Sequence, residues 1–181
     1  MSDIRYGDWT PQTEVIAEHI DATQARKLAA TLDRPEDGIE DGVPLPAMYH
    51  WVYFLPRAPM SKIGTDGHPE RGGFFPPVEL QRRMFAGART KFLKPLLIGQ
   101  EATRTGTITS LAEKEGKAGR MVLATAEYSI EQGGETCITD THDIIYIAGG
   151  GQTPAPGPDS WTAPADGWHR TVHVDGVMLF R

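Results

Sequence analysis

Cysteine occurs once in the 181 residues, at position 137, and asparagine is absent. A single thiol excludes an internal disulfide framework and rules out CxxC-type metal spacing. No apolar run approaches the roughly 18 residues that a membrane-spanning helix needs. The opening stretch MSDIRYGDWT has neither the basic region nor the apolar core of a secretory signal. These absences predict a soluble, cytoplasmic chain. Basic clustering is equally scarce, because Lys and Arg never gather beyond adjacent pairs such as Arg82-Arg83 and the formal net charge is −6. That pattern lacks the footprint of a phosphate-backbone binder and argues against nucleic acid as a partner. Phosphate-cradling loops are missing too: neither a P-loop nor GxGxxG occurs, and no serine sits in a GxSxG elbow. The histidines are dispersed. His169 and His173 would form HxxxH only on a helix, whereas their segment reads as strand, so no metal is expected.

What is present suffices for one core with appendages, since 39% of the chain is hydrophobic. TEVIAEHI (13–20) reads as a strand. In DATQARKLAATLD (21–33), Asp21 is a good N-cap and Ala22, Ala25, Leu28, Ala29 and Leu32 recur at helical spacing. An acidic loop punctuated by Pro and Gly follows (34–46). AMYHWVYFL (47–55) is the most aromatic stretch, and over so few residues periodicity does not separate a buried strand from a short buried helix. Residues 56–77 carry too much Pro and Gly for regular structure and form a long loop, the kind of segment in which function concentrates. Four β-rich runs then succeed one another at 82–95, 100–116, 119–132 and 135–148, separated by short turns. One helix plus such a sheet predicts an α+β domain with a mainly antiparallel sheet over residues 1–148. Residues 149–167 read as a Pro/Gly-rich linker, and 168–181 as a strand-like segment that would lead into something further.

Several residues are candidates for chemistry, each with an ordinary structural alternative. His142 and Asp143 point to opposite faces of a strand, whereas Asp140, His142, Ile144 and Tyr146 share one. His142 beside Asp140 could serve as a general base, or the two could make a sheet-surface pair. The aromatic run around Trp51 suits either stacking on a planar ligand or plain core packing, and His50 within it reads as a hydrogen-bonded core histidine. In GHPERGGFFPP (67–77), His68, Glu70 and Arg71 lie among glycines that let a ligand approach the backbone. Arg71 and Arg83 suit a carboxylate or phosphate. The loop can equally be a stiff corner.

The blocks PLPAMYHWVYFLP, GHPERGGFFPPVELQRRMFAG, FLKPLLIGQEATRTGTI, KEGKAGRMVLATAEYSI and THDIIYI, in that order, carry a resemblance. They resemble the N-terminal half of MaoC-like hydratases and dehydratases with two hotdog modules. The nearest branch is that of mesaconyl-CoA (3-methylfumaryl-CoA) hydratases, itaconyl-CoA hydratases and type 2 hydroxyacyl-thioester dehydratases. The resemblance implies a hotdog fold, an antiparallel sheet wrapped round a central helix, with residues 47–55 a candidate for part of that helix. It implies a hydro-lyase acting on an acyl-CoA thioester, with CoA as part of the substrate and no separate cofactor. His68, Arg71, Gly72, Gly73, Phe74, Arg83 and Trp51 are then expected against substrate, with Arg71 or Arg83 as counter-charge to a second carboxylate. One departure stands out. The family's catalytic pair is an Asp or Asn followed five residues later by a His, and no histidine here has one. The chain is therefore expected to be the substrate-shaping half, truncated or separately encoded, whose partner is a second hotdog module or subunit. His68 and His142 remain catalytic candidates, because a self-dimerising hotdog thioesterase or hydratase, like a non-catalytic thioester-binding subunit, fits the same residues.

Overall fold

A computed structural model describes residues 9–116 and 119–148, together with 164–167 and 176. The chain divides into one unit of residues 1–149 and another of residues 150–181. Apart from Gly176, the strand-like segment expected at 168–181 lies outside the described residues, as does most of the linker before it.

The first unit opens with β1 (Gln12–His19), whose residues alternate half-buried and exposed, as a strand with one face on a core requires. Helix α1 (Ala22–Thr31) follows at once. The Asp21 carboxylate caps it by accepting from the backbone N–H groups of Thr23 (2.8 Å) and Gln24 (3.2 Å). The buried face of α1 is made of Ala22, Ala25 and Ala29, small enough to let neighbouring chain approach closely. After the acidic loop, only Tyr49–Val52 of the aromatic stretch is helical, as a single 3₁₀ turn. Non-glycine residues with positive φ flank that turn, Met48 at 69° before it and Phe54 at 56° after it. Such conformations persist where surrounding contacts over-determine them. Here Tyr53 Oη donates to the Asp21 carbonyl, Gln24 Nε2 donates to the Val52 carbonyl at 3.3 Å, and the Phe54 N–H donates to Glu18. The turn is thus strapped to the start of α1 and to the end of β1.

The Pro/Gly-rich loop is more ordered than its composition suggests. A second 3₁₀ turn spans Met60–Lys62, and Ile63 bridges to Pro69 in antiparallel fashion. Strands β2 (Arg82–Phe92), β3 (Glu101–Gly116), β4 (Gly119–Gln132) and β5 (Glu135–Ile147) then complete a five-stranded sheet in the order β1-β3-β4-β5-β2, antiparallel throughout. The α+β expectation, the helix and the four strand runs all hold.

One face of the sheet is lined by Ala102, Ile108, Val122, Ala124, Ala126, Ile130, Ile138 and Tyr146, and this inner face is the buried one. Its core has two parts. The larger joins Ile130 and Ile138 to α1, the 3₁₀ turn and the Leu96–Ile98 segment, and the smaller gathers Val78, Val122, Ala124 and Tyr146. Among the described residues no helix is long and apolar enough to cross a membrane.

Candidate active site

Strand register brings a polar row into this apolar face. Glu14 on β1 pairs with Gly106 on β3, Gly106 with Tyr128 on β4, Tyr128 with Asp140 on β5, and Asp140 with Thr90 on β2. His142 lies one inward position further along β5. Gly106 is required here: a Cβ at that position would stand 2.8 Å from a Tyr128 ring carbon and 3.2 Å from Phe74 Cζ. Without that side chain the Tyr128 ring lies over β3.

Asp140 is the centre of the cluster. It is 3% exposed, and donors converge on its carboxylate from three elements. Oδ2 accepts from His142 Nε2 at 2.8 Å and from Trp51 Nε1 at 2.9 Å, with His50 Nε2 at 3.5 Å, while Oδ1 accepts from Thr90 Oγ1 at 2.8 Å. Burial alone would raise the pKa of this carboxyl, but the hydrogen bonds from His142, His50 and Thr90 outweigh it. They hold the carboxyl well below the usual carboxylate range. An ionised carboxylate only accepts, so the bonded Nε2 of each histidine carries a proton. That commits Nε2 of His142 to Asp140 and leaves its Nδ1 for any further chemistry, the position a general base uses. Among the described residues, the His142 ring makes no other hydrogen bond.

Aromatic rings enclose the pair. His142 meets Tyr128 at 4.9 Å between ring centroids, Trp51 at 5.5 Å and Phe85 at 5.6 Å. Burial pushes the Tyr128 phenol up to about 12, so it stays protonated and can donate. Between the 3₁₀ turn and the sheet lies a cavity of about 90 Å³, lined by His50, Trp51, Phe54, Arg104, Tyr128, Asp140 and His142 among others. A carboxylate-oriented imidazole, a neutral phenol and a guanidinium beside a small, largely apolar void form an acid–base site suited to a small polar group on an apolar stem. Among the described residues no three His, Cys, Asp or Glu side chains are grouped to hold a metal ion.

The candidates read from the sequence fall into two places. Trp51 and His142 stand together at Asp140, and Phe74 reaches them by packing against Tyr128 at 6.1 Å. The other candidates do not line the cavity. Arg71 Nη1 donates to the carbonyls of Val78 and Leu80, its Nη2 to that of Gln81 at 3.0 Å, and its guanidinium lies over the Tyr146 ring. Gly72, at φ 98°, closes the corner, with its N–H on the Phe75 carbonyl, and Gly73 continues it. Arg83 pairs with Asp66 at 3.0 Å, and His68, with 62% of its side chain exposed, bonds the Asp66 carbonyl. Asp143 faces away from Asp140 and binds Arg89 and Thr125. Sequence reasoning missed Thr90 and Arg104. Thr90 becomes visible only through the β2–β5 register, and Arg104 only as a lone arginine on the inward phase of a strand.

The family described as hydroxyacyl-thioester dehydratase type 2 matches residues 48–181. Over all 181 residues the chain is 44% identical to a protein of Chloroflexus aurantiacus named mesaconyl-C(4)-CoA hydratase, and it spans 65% of that protein's length. Among solved structures, the C-terminally truncated HadBC (3R-hydroxyacyl-ACP dehydratase) complex of Mycobacterium tuberculosis matches with a TM-score of 0.53 at 15% identity, over 80% of this chain and 98% of that one. The ChsH1-ChsH2 complex of the same organism matches with a TM-score of 0.52 at 11% identity, over 85% and 93%. At these identities the likeness concerns the fold alone, and that fold is the hotdog.

Proposed function

This chain belongs to the hydroxyacyl-thioester dehydratase type 2 family, and from that premise we propose that it is the acyl-holding module of a hydro-lyase acting on short enoyl-CoA thioesters. Mesaconyl-CoA and itaconyl-CoA represent the substrate class. The observation that carries this reading is the 44% identity, along the whole chain, to a protein named as a hydratase of mesaconyl-C(4)-CoA. CoA enters as part of the substrate, and no separate cofactor is needed. A reducing cytoplasm suits a chain whose one cysteine is buried and free.

Adding water to an enoyl thioester requires a base for the water, an acid for the α-carbon and a donor to the thioester oxygen. In this reading Trp51, Phe54 and Tyr128 form the apolar wall, and His142 on Asp140 presents one polar edge to the acyl group. The Asp/Asn-to-His pair expected at five-residue spacing belongs to a second hotdog module or subunit, which closes the site. A second reading is favoured by the Asp140–His142 dyad itself: an oriented imidazole can act as the base, so that the chain carries its own catalyst. The decisive experiment follows enoyl-thioester absorbance and thioester binding when the purified chain meets mesaconyl-CoA. The expected result is binding without turnover, with turnover appearing when a catalytic hotdog partner is added. Turnover by the chain alone that His142→Gln abolishes would replace the first reading with the second.

A further inference from the structure

Arg104 has the environment of a ligand-binding cation. It projects from β3 on the inner face, paired in register with Ile16 and Ile130. Its side chain is only 20% exposed. The guanidinium carbon lies 4.9 Å from the Tyr128 ring centroid and 5.8 Å from that of Phe54. One amino group donates to Glu14 at 3.0 Å. Nε is buried and has no acceptor among the described residues. A buried guanidinium N–H without an acceptor is unfavourable, and the planar fork of arginine matches a carboxylate. The same side chain lines the cavity that His142 and Trp51 line.

We propose that Arg104 receives the free carboxylate of a short dicarboxylic acyl thioester, so that the cavity prefers an enoyl group bearing a second carboxylate to one without it. This rests on the reading that the module holds the acyl group. The positions suit such a ligand. Arg104 and His142 approach the same Tyr128 ring, each 4.9 Å from its centroid, from strands on either side of β4. Those strands lie two spacings apart, roughly 10 Å between backbones. A four- or five-carbon diacid unit lies across the ring with its alkene toward His142 and its carboxylate toward Arg104. The cavity of about 90 Å³ suits a group of that size rather than a long acyl chain. Neither Arg71 nor Arg83 lines this cavity, and Arg71 is directed to three carbonyls. Glu14 is the built-in competitor, holding Arg104 when no ligand is bound.

The test is equilibrium binding of mesaconyl-CoA and of crotonyl-CoA, which lacks the second carboxylate, to the full chain by titration calorimetry. Wild type is compared with Arg104→Gln, Arg104→Lys and Glu14→Gln. Wild type should bind mesaconyl-CoA more tightly. Arg104→Gln should weaken mesaconyl-CoA by about tenfold to a hundredfold and leave crotonyl-CoA unchanged. Arg104→Lys should keep part of the preference, and Glu14→Gln should tighten mesaconyl-CoA alone. Equal loss for both thioesters, or no loss, overturns the role of Arg104 and leaves the acyl-holding reading standing. If Arg104→Gln fails to fold, Glu14→Gln decides, and an unchanged preference there overturns the proposal. Failure of wild type to bind either thioester overturns the acyl-holding reading, and this proposal with it.

Discussion

Two polar clusters interrupt the apolar inner side of the sheet, and they differ in what their side chains meet. Around Arg71, one guanidinium gathers the carbonyls of Val78, Leu80 and Gln81 while covering Tyr146. There a side chain meets backbone, three carbonyls hold the guanidinium, and the result is a fixed corner. Beneath Trp51, side chains from the 3₁₀ turn, β2 and β5 converge on one carboxylate at the edge of a cavity. There side chain meets side chain, and His142 has a second ring nitrogen to offer. A cation held by three carbonyls keeps the chain in shape, whereas a buried carboxylate that orients an imidazole beside a void can take part in chemistry.

The sharpest way to break this contrast is to remove the carboxylate. Asp140→Ala removes the buried acceptor shared by Trp51, Thr90 and the two histidines, and should destabilise the fold by roughly 3–5 kcal/mol in urea denaturation. Acid titration gives the same group a signature whose sign is fixed. Burial raises the Asp140 carboxyl, the hydrogen bonds outweigh burial, and the net pKa lies below the ordinary 3.8. The unfolded chain therefore takes up this proton first on acidification. The stabilisation is complete above that ordinary value and is lost as pH falls below it toward the folded pKa. The stability gap between wild type and Asp140→Asn should accordingly narrow only in strong acid. A gap that closes near neutrality would count against an ionised, hydrogen-bonded Asp140.

A smaller effect is expected at the corner. Arg71→Ala removes the carbonyl bonds and the contact with Tyr146, and should cost about 2–3 kcal/mol of stability. Under conditions where the variant remains folded, its affinity for an acyl-CoA should match wild type. A selective loss of thioester affinity at full stability would move the binding site toward the loop.

The fold was largely legible because its signals are local. Asp21 ahead of a run of inward alanines marks α1, and period-two alternation with glycine-bearing turns marks β2 to β5. Alternation also placed Asp140 and His142 on one face and Asp143 on the other. The 3₁₀ turn was not legible, since Tyr49–Val52 is too short for periodicity and its flanking Met48 and Phe54 adopt left-handed backbone without a glycine to announce it. The site was half legible for a related reason. Trp51 and Asp140 are 89 positions apart, and Thr90 meets Asp140 only because β2 pairs with β5 in one particular register. Arg71 attracts a functional reading because charge among glycines looks available, and availability depends on which carbonyls fold back onto the guanidinium. Arg104 drew no notice because nothing local separates a cavity arginine from a solvated one.

The account's central claim is that the acyl thioester occupies the cavity beneath Trp51 rather than the loop at 67–77. Proton NMR of the histidine rings during titration with crotonyl-CoA tests it most directly, with resonances assigned through His142→Gln and His68→Gln. Saturable shifts of the His142 ring with an unmoved His68 are the predicted result. Shifts confined to His68, with His142 unchanged at saturation, would contradict it.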